Sequence, residues 1–132
     1  MGLEDLIAVL AAGSERAVVV TDGDISYPGP TILYVNEAFE RMTGYRSAEL
    51  VGRTPRMLQG EKTSLAARRT LARGLREGNR IKVAMINYRK SGEPYRCEVE
   101  VFPILDRQGA LVNAVALERE VRRRPGRRPA MG

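Results

Sequence analysis

The chain has 132 residues, of which 43% are hydrophobic and 29% charged, a balance typical of one ordinary soluble domain rather than of a disordered or fibrous chain. It contains no histidine and a single cysteine, Cys97, which excludes an intramolecular disulfide, a histidine-dependent catalytic triad and the usual zinc and haem ligand sets. No apolar run approaches the ~20 residues that cross a bilayer, and the acidic start MGLEDLIAVLAAG is unlike a secretory signal, so we expect a cytoplasmic protein without a membrane span.

The net charge of +6 is concentrated at the C-terminus. Five arginines and no acid lie in residues 122–132, whereas residues 1–121 hold 17 bases and 16 acids. Such a basic segment has the charge to contact the phosphates of nucleic acid or lipid. It carries no aromatic side chain for base stacking and no DNA-binding motif. We therefore predict a solvated, disordered basic tail and no specific nucleic-acid partner.

The first part of the chain predicts a helix, two strands and a turn region. Apolar residues at helical spacing predict a short amphipathic helix over residues 3–12. Residues 17–21 (AVVVT) and 31–35 (TILYV) are apolar and β-branched, and each run predicts a strand. The Gly- and Pro-rich residues 22–30 predict the turns between the two strands.

Two short helices are predicted after the second strand. Asn36 is a good N-cap for a helix that begins at Glu37, and Gly44 is placed to end that helix. Residues 47–50 (SAEL) predict the start of a further short helix.

A longer helix and three strands follow. Thr63, or alternatively Ser64, caps the helix, which runs to Glu77 and is ended by Gly78. Four arginines are predicted on its solvated face: Arg68, Arg69, Arg73 and Arg76. Three long strands joined by tight turns predict an antiparallel meander: residues 80–88, 94–105 and 110–121. Together the elements predict an α+β fold with the helices on one face of the sheet.

The order of these elements, with YVNEAF at residues 34–39 and TGY at 43–45, resembles a PAS domain, a cytoplasmic sensor and dimerisation module. The resemblance covers residues 15–121 and implies the PAS fold, a five-stranded antiparallel sheet with helices packed on one face. Residues 1–14 would then be a flanking helix and 122–132 a tail. In PAS domains such a helix packs on its own sheet or on a second copy, which implies a homodimer or a PAS-containing signalling partner.

Two further motifs resemble the light-oxygen-voltage (LOV) branch of PAS domains, whose members hold flavin mononucleotide (FMN) between the helices and the sheet. They are GRTPRMLQG at residues 52–60 and NYRKSG at 87–92. LOV photochemistry uses a cysteine in a G-R-N-C-R-F-L-Q-G pattern, whose thiol attacks the flavin ring in blue light. Pro55 stands at that position and has no nucleophile. The resemblance is thus to a LOV-like domain that lacks the adduct cysteine.

Three LOV flavin contacts are kept in this chain. The resemblance implies that Arg56 pairs with the flavin phosphate, that Gln59 lies near the ribityl chain, and that Asn87 binds the pyrimidine edge. These three residues are the part of the pattern that favours FMN.

Other LOV flavin contacts are changed. Thr54 replaces an asparagine beside the adduct position, and Cys97 replaces the second asparagine of the pyrimidine edge. The second phosphate-binding arginine falls on Ala72, and the adjacent Arg73 points about 100° away on a helix. Glu118 stands where LOV domains carry a glutamine that flips its amide. Each polar edge of a buried flavin that is left without a partner weakens binding by roughly 1–3 kcal/mol. We therefore assign no cofactor, and FMN is the possible one.

Three of these residues each allow two interpretations. Arg56 is either an anion ligand or the partner in a surface ion pair. Cys97 is either a functional thiol, for redox sensing or as an alternative adduct site, or a small core residue. Glu118 is either a buried carboxyl with a raised pKa or, if the strand register shifts by one residue, a solvent-facing side chain.

We therefore predict a PAS sensory module, not an enzyme, that mediates ligand- or redox-dependent protein interaction without cysteinyl-flavin photochemistry. One alternative is an FMN-binding blue-light or redox sensor that works by flavin photoreduction, with a tyrosine as electron donor. The candidate donors, which otherwise serve as sheet and core packing, are Tyr34, Tyr45, Tyr88 and Tyr95. The other alternative is a ligand-free dimerisation scaffold.

Overall fold

The computed structural model describes Ile7 and residues 14–122. Apart from Ile7, the predicted helix over residues 3–12 lies outside the described residues, and so does the tail beyond Arg122. In the part of the chain that is described, no helix is long and apolar enough to cross a membrane.

The sheet has five strands, and every pair of neighbouring strands is antiparallel. The strands are β1 (Ala17–Asp22), β2 (Ile32–Val35), β3 (Ile81–Tyr88), β4 (Pro94–Leu105) and β5 (Leu111–Glu120). Their order across the sheet is β2-β1-β5-β4-β3. The predicted five-stranded antiparallel α+β fold is therefore confirmed, with strand ends within about one residue of those predicted.

Three α-helices and one 3-10 helix connect the second and third strands. They are α1 (Glu37–Thr43), α2 (Ser47–Leu50), the 3-10 helix (Pro55–Leu58) and α3 (Leu65–Glu77). The 3-10 helix was not predicted. It begins at a proline, whose fixed φ angle suits a first helical position.

Asn36 joins α1 to the start of β1. Its Oδ1 accepts hydrogen bonds from the backbone N–H of Phe39, at 3.0 Å, and of Val18, at 2.9 Å. Its Nδ2 donates to the carbonyl of Arg16 at 2.9 Å. Asn36 is thus the predicted N-cap, and it also fixes α1 against the sheet. The helix ends where predicted, because Gly44 takes the left-handed conformation, with φ 81°.

The cap of α3 is Ser64 rather than Thr63. The Ser64 side chain accepts from the backbone N–H of Ala67 at 3.2 Å. Thr63 instead accepts from the Gly60 N–H at 2.9 Å and donates to the carbonyl of Ile86 at 2.6 Å. The first choice of cap was therefore wrong, because Thr63 is used to tie the segment before α3 to β3.

The helices pack on one face of the sheet. Ala17 and Val19 of β1 share one core cluster with α1, and Ala114 of β5 shares another with α3. Val19 pairs with Ala116 of β5, so these residues lie on the same face. The opposite face carries a smaller cluster of Val18, Val20, Tyr34, Val115 and Leu117, against which Ile7 packs.

Candidate functional site

A cavity of about 160 Å³ lies between α3, the 3-10 helix and the helix-covered face of the sheet. A single water needs roughly 10–15 Å³, so this space is large enough for a small organic molecule. Aliphatic side chains form much of its wall, among them Val19, Leu58, Leu71, Leu75, Val99 and Val101. The cavity is thus an apolar site of the kind that binds organic ligands.

Polar side chains from the 3-10 helix and its C-terminal flank, from β3 and from β5 reach this cavity. Four of the predicted site residues line it, namely Arg56, Gln59, Asn87 and Glu118. Pro55 and Ala72, two of the positions at which the chain departs from the LOV pattern, line it as well. The cavity therefore gathers residues that are far apart in the chain, from Val19 to Glu118.

Two predicted site residues do not line the cavity. The Thr54 hydroxyl accepts from the backbone N–H of Arg56 at 3.2 Å and caps the 3-10 helix. Cys97 is fully buried in β4, where its Sγ donates to Oε1 of Glu118 at 3.4 Å. Thr54 therefore has a local structural role. Cys97 does not line the cavity itself but contacts Glu118, which does.

Arg56 is held at the cavity by the loop between β1 and β2. Its Nε donates to the carbonyl of Gly29 at 2.8 Å, and its guanidinium lies 5.3 Å from the centre of the Tyr27 ring. Among the described residues Arg56 forms no ion pair with a carboxylate. Its positive charge is therefore available to an anion.

Glu118 is a buried carboxyl on β5. It is 6% exposed, and burial raises its pKa to about 7, whereas the hydrogen bond from Cys97 lowers the pKa slightly. The structure therefore agrees with the first interpretation of Glu118, a buried carboxyl. The cause is the register, since Glu118 pairs with Ala17 and Val99, both buried.

Cys97 has the environment of a small core residue. Burial raises the pKa of its thiol, and the neighbouring Glu118 carboxyl raises it further. Because the thiolate is the reactive form, such a thiol is a poor nucleophile and a poor redox sensor. Packing is thus the role that its surroundings favour.

Arg68 reaches the cavity although it was predicted on the solvated face of α3. It is half-buried and lines the cavity, whereas the neighbouring Arg69 and Arg73 are exposed. The prediction was wrong for Arg68 because the residue lies one helical turn before Ala72, on the same face of α3. The four-residue spacing to Ala72 was the signal that could have identified it.

None of the four candidate tyrosines lines the cavity, within the range that the structure describes. The Tyr88 hydroxyl accepts from the backbone N–H of Lys62 at 2.8 Å. Tyr34 packs on the opposite face of the sheet, and Tyr45 packs against the cluster around α1. Tyr95 is buried in β4, and burial raises the pKa of its hydroxyl. Packing explains their positions.

Comparison with known proteins agrees with this architecture. The sequence profile of the PAS domain matches residues 16–123. Blue-light-activated histidine kinase 2 of Erythrobacter litoralis is 40% identical over 87 residues, which are 66% of this chain and 25% of that protein. Phototropin-1A of rice is 34% identical over 118 residues, 89% of this chain and 12% of that protein. The chain thus spans a quarter or less of these relatives.

Solved structures show the same relationship. The LOV domain of a blue-light activated histidine kinase from Erythrobacter litoralis has a TM-score of 0.72 and 33% identity, covering 80% of this chain and 94% of that one. The PAS domain of the fruit-fly ELK potassium channel, at 23% identity, shares the fold, with a TM-score of 0.80 and coverage of 92% and 98%. The chain therefore belongs to the PAS domain family, as a sensory signal-transduction domain with LOV domains among its relatives.

Proposed function

We propose that this PAS domain senses a small ligand in the cavity between α3 and the sheet, and passes the change through β5 to a partner protein or a second copy. The observation that carries the proposal is the apolar cavity into which Arg56, Gln59, Asn87 and Glu118 converge. An apolar space with a few convergent polar groups is typical of ligand sites.

The route of the signal follows from the position of β5. Glu118 lines the cavity, and Leu117, its neighbour in sequence, points to the opposite face of the sheet. That face is where Ile7 packs. A ligand that moves Glu118 would therefore disturb the surface against which a flanking segment or a second copy is expected to lie.

The proposed mechanism excludes cysteinyl-flavin photochemistry. Pro55, which the LOV resemblance aligns with the adduct cysteine, begins the 3-10 helix and lines the cavity. The only thiol of the chain, that of Cys97, lies behind Glu118 and is held as the neutral form by burial. No side chain at the cavity therefore supplies a thiolate, and we propose no catalytic residue in this domain.

FMN is the second candidate, in a sensor that works by flavin photoreduction. Arg56, Gln59 and Asn87, the three contacts retained from the LOV pattern, all line one cavity, which favours this ligand. The flavin would supply light absorption and redox chemistry. Cys97 does not reach the cavity and the candidate tyrosines do not line it, so the fit is incomplete. The electron would have to come from an external reductant.

A visible absorption spectrum tests the flavin candidate. The protein is incubated with FMN, desalted, and measured before and after blue illumination. If FMN binds, flavin bands survive desalting, and illumination without a reductant leaves them unchanged because Pro55 offers no thiol. The variant Ala116→Leu, which fills the cavity from β5, is the control and should lose the bands.

If the unmodified protein loses the flavin bands on desalting, FMN is not its ligand. The domain then either binds another ligand or is a ligand-free scaffold. Size-exclusion chromatography with light scattering then separates these two cases. A dimer that is unaffected by Ala116→Leu and by every tested ligand would support the scaffold, and would contradict the proposed ligand sensor.

A further inference from the structure

Arg68 brings an unused guanidinium donor to the cavity. Its Nε is buried and has no hydrogen-bond partner among the described residues. Within the described part of the chain, the one hydrogen bond of its side chain runs from a terminal nitrogen to the carbonyl of Gly60 at 3.5 Å, the outer limit for such a bond. A guanidinium has five N–H donors and is always charged. A buried donor without a partner is costly, which makes this group ready to receive an acceptor.

Arg68 shares the cavity with a second unpaired cation. Arg56 lines the same space from the 3-10 helix, and Gly60, which accepts from Arg68, follows that helix by two residues. No described carboxylate forms an ion pair with either arginine. Arg68 is half-buried and Arg56 is exposed, so the two guanidinium groups create a positive potential at the mouth and wall of the apolar cavity.

Below neutral pH the opposite side of the cavity carries little compensating negative charge. Among the described residues that line the space, Glu118 is the only acidic one. Burial favours its neutral form up to a pH of about 7. The charge of the two arginines is therefore left for the ligand to balance.

We propose that Arg68 binds an acidic group of the ligand, with Arg56 as the second cation, so that the cavity selects small molecules with an apolar body and a carboxylate, sulfonate or phosphate. This inference rests on the proposed function, since it requires that the cavity binds a ligand. Arg68 lies in α3 one turn before Ala72. Its position therefore differs from that of the second phosphate-binding arginine of the LOV pattern, which aligns with Ala72.

A pair of fluorescent probes tests the inference. 1-Anilinonaphthalene-8-sulfonate and N-phenyl-1-naphthylamine share one aromatic body, and only the first carries an acidic group. Both are titrated into the full chain in a buffer without phosphate or sulfate. We expect Arg68→Gln to weaken binding of the sulfonate about tenfold or more, the loss of one charge-assisted hydrogen bond, and to leave the neutral probe unchanged.

Arg69→Gln is the matched control, because it removes the same charge from an exposed position one residue along α3. It should leave binding of both probes unchanged. If Arg68→Gln loses its cooperative thermal transition, Arg68→Met, which keeps the aliphatic stem, takes its place. Equal losses in the Arg68 and Arg69 variants, or equal losses for both probes, would overturn the acidic subsite while leaving a ligand cavity.

A different result would overturn the proposed function itself. If neither probe binds, or if the cavity-filling variant Ala116→Leu leaves binding of both probes intact, the cavity does not take these ligands. Sulfonate binding that is lost in Ala116→Leu and weakened in Arg68→Gln, but kept in Arg69→Gln, supports both proposals together.

Discussion

Asn36→Ala is expected to lower the free energy of unfolding by roughly 3–5 kcal/mol, because it leaves several buried backbone groups without partners at about 1–3 kcal/mol each. Asn36 is 3% exposed. Its amide accepts from the N–H groups of Val18 and Phe39 and donates to the carbonyl of Arg16. Domains of this size are stable by only about 5–15 kcal/mol, so urea denaturation followed by circular dichroism should show a large fall in the midpoint.

Asn113→Ala is the matched control for that variant. Asn113 is half-buried, and its Nδ2 donates to the carbonyl of Thr21 at 3.0 Å. Losing this hydrogen bond should cost about 1 kcal/mol. If Asn36→Ala costs no more than Asn113→Ala, the amide does not fix α1 against the sheet.

Glu118→Gln is expected to remove a pH dependence of stability worth about 3 kcal/mol. Burial raises the pKa of Glu118 from its ordinary value of 4.5 to about 7 in the folded protein, so the folded state binds this proton more tightly than the unfolded state. The stabilisation is fully present below pH 4.5 and is lost as the pH rises through 7. The magnitude follows from about 1.4 kcal/mol for each pKa unit.

The measurement compares urea denaturation of the unmodified protein and Glu118→Gln at pH 5 and pH 8.5. The stability of the variant relative to the unmodified protein should rise by up to about 3 kcal/mol between the two pH values. Glu61→Gln, at an exposed glutamate on the loop before α3, is the control and should show no such change. A constant difference between Glu118→Gln and the unmodified protein would mean that Glu118 does not titrate abnormally.

The strands and helix ends could be predicted because their signals are local. β-Branched runs set β1 and β2, and glycines in the left-handed conformation end α1 and α3, with φ 81° at Gly44 and 70° at Gly78. The choice of Thr63 over Ser64 as the N-cap of α3 was wrong because it depends on a long-range contact. Thr63 donates to the carbonyl of Ile86 in β3.

The site was harder to predict because it depends on orientation. In β5 both faces are apolar, with Ala114 and Ala116 on one and Val115 and Leu117 on the other, so alternation did not reveal which face Glu118 takes. Arg68 was misplaced because a long arginine stem lets a helix-surface residue bring its charge to a nearby cavity. Four of the six residues predicted from the LOV resemblance line the cavity, but the resemblance did not indicate which polar groups there lack hydrogen-bond partners.

The central position of β1 and β5 has a mechanical consequence. These strands are adjacent and antiparallel, with Ala17 opposite Glu118, so the backbone enters and leaves the sheet at the same end. A polypeptide segment attached before β1 and one attached after β5 therefore start from neighbouring points at the same end of the sheet. Glu118 lies on this strand pair and lines the cavity, so a ligand bound there would contact the sheet close to both attachment points.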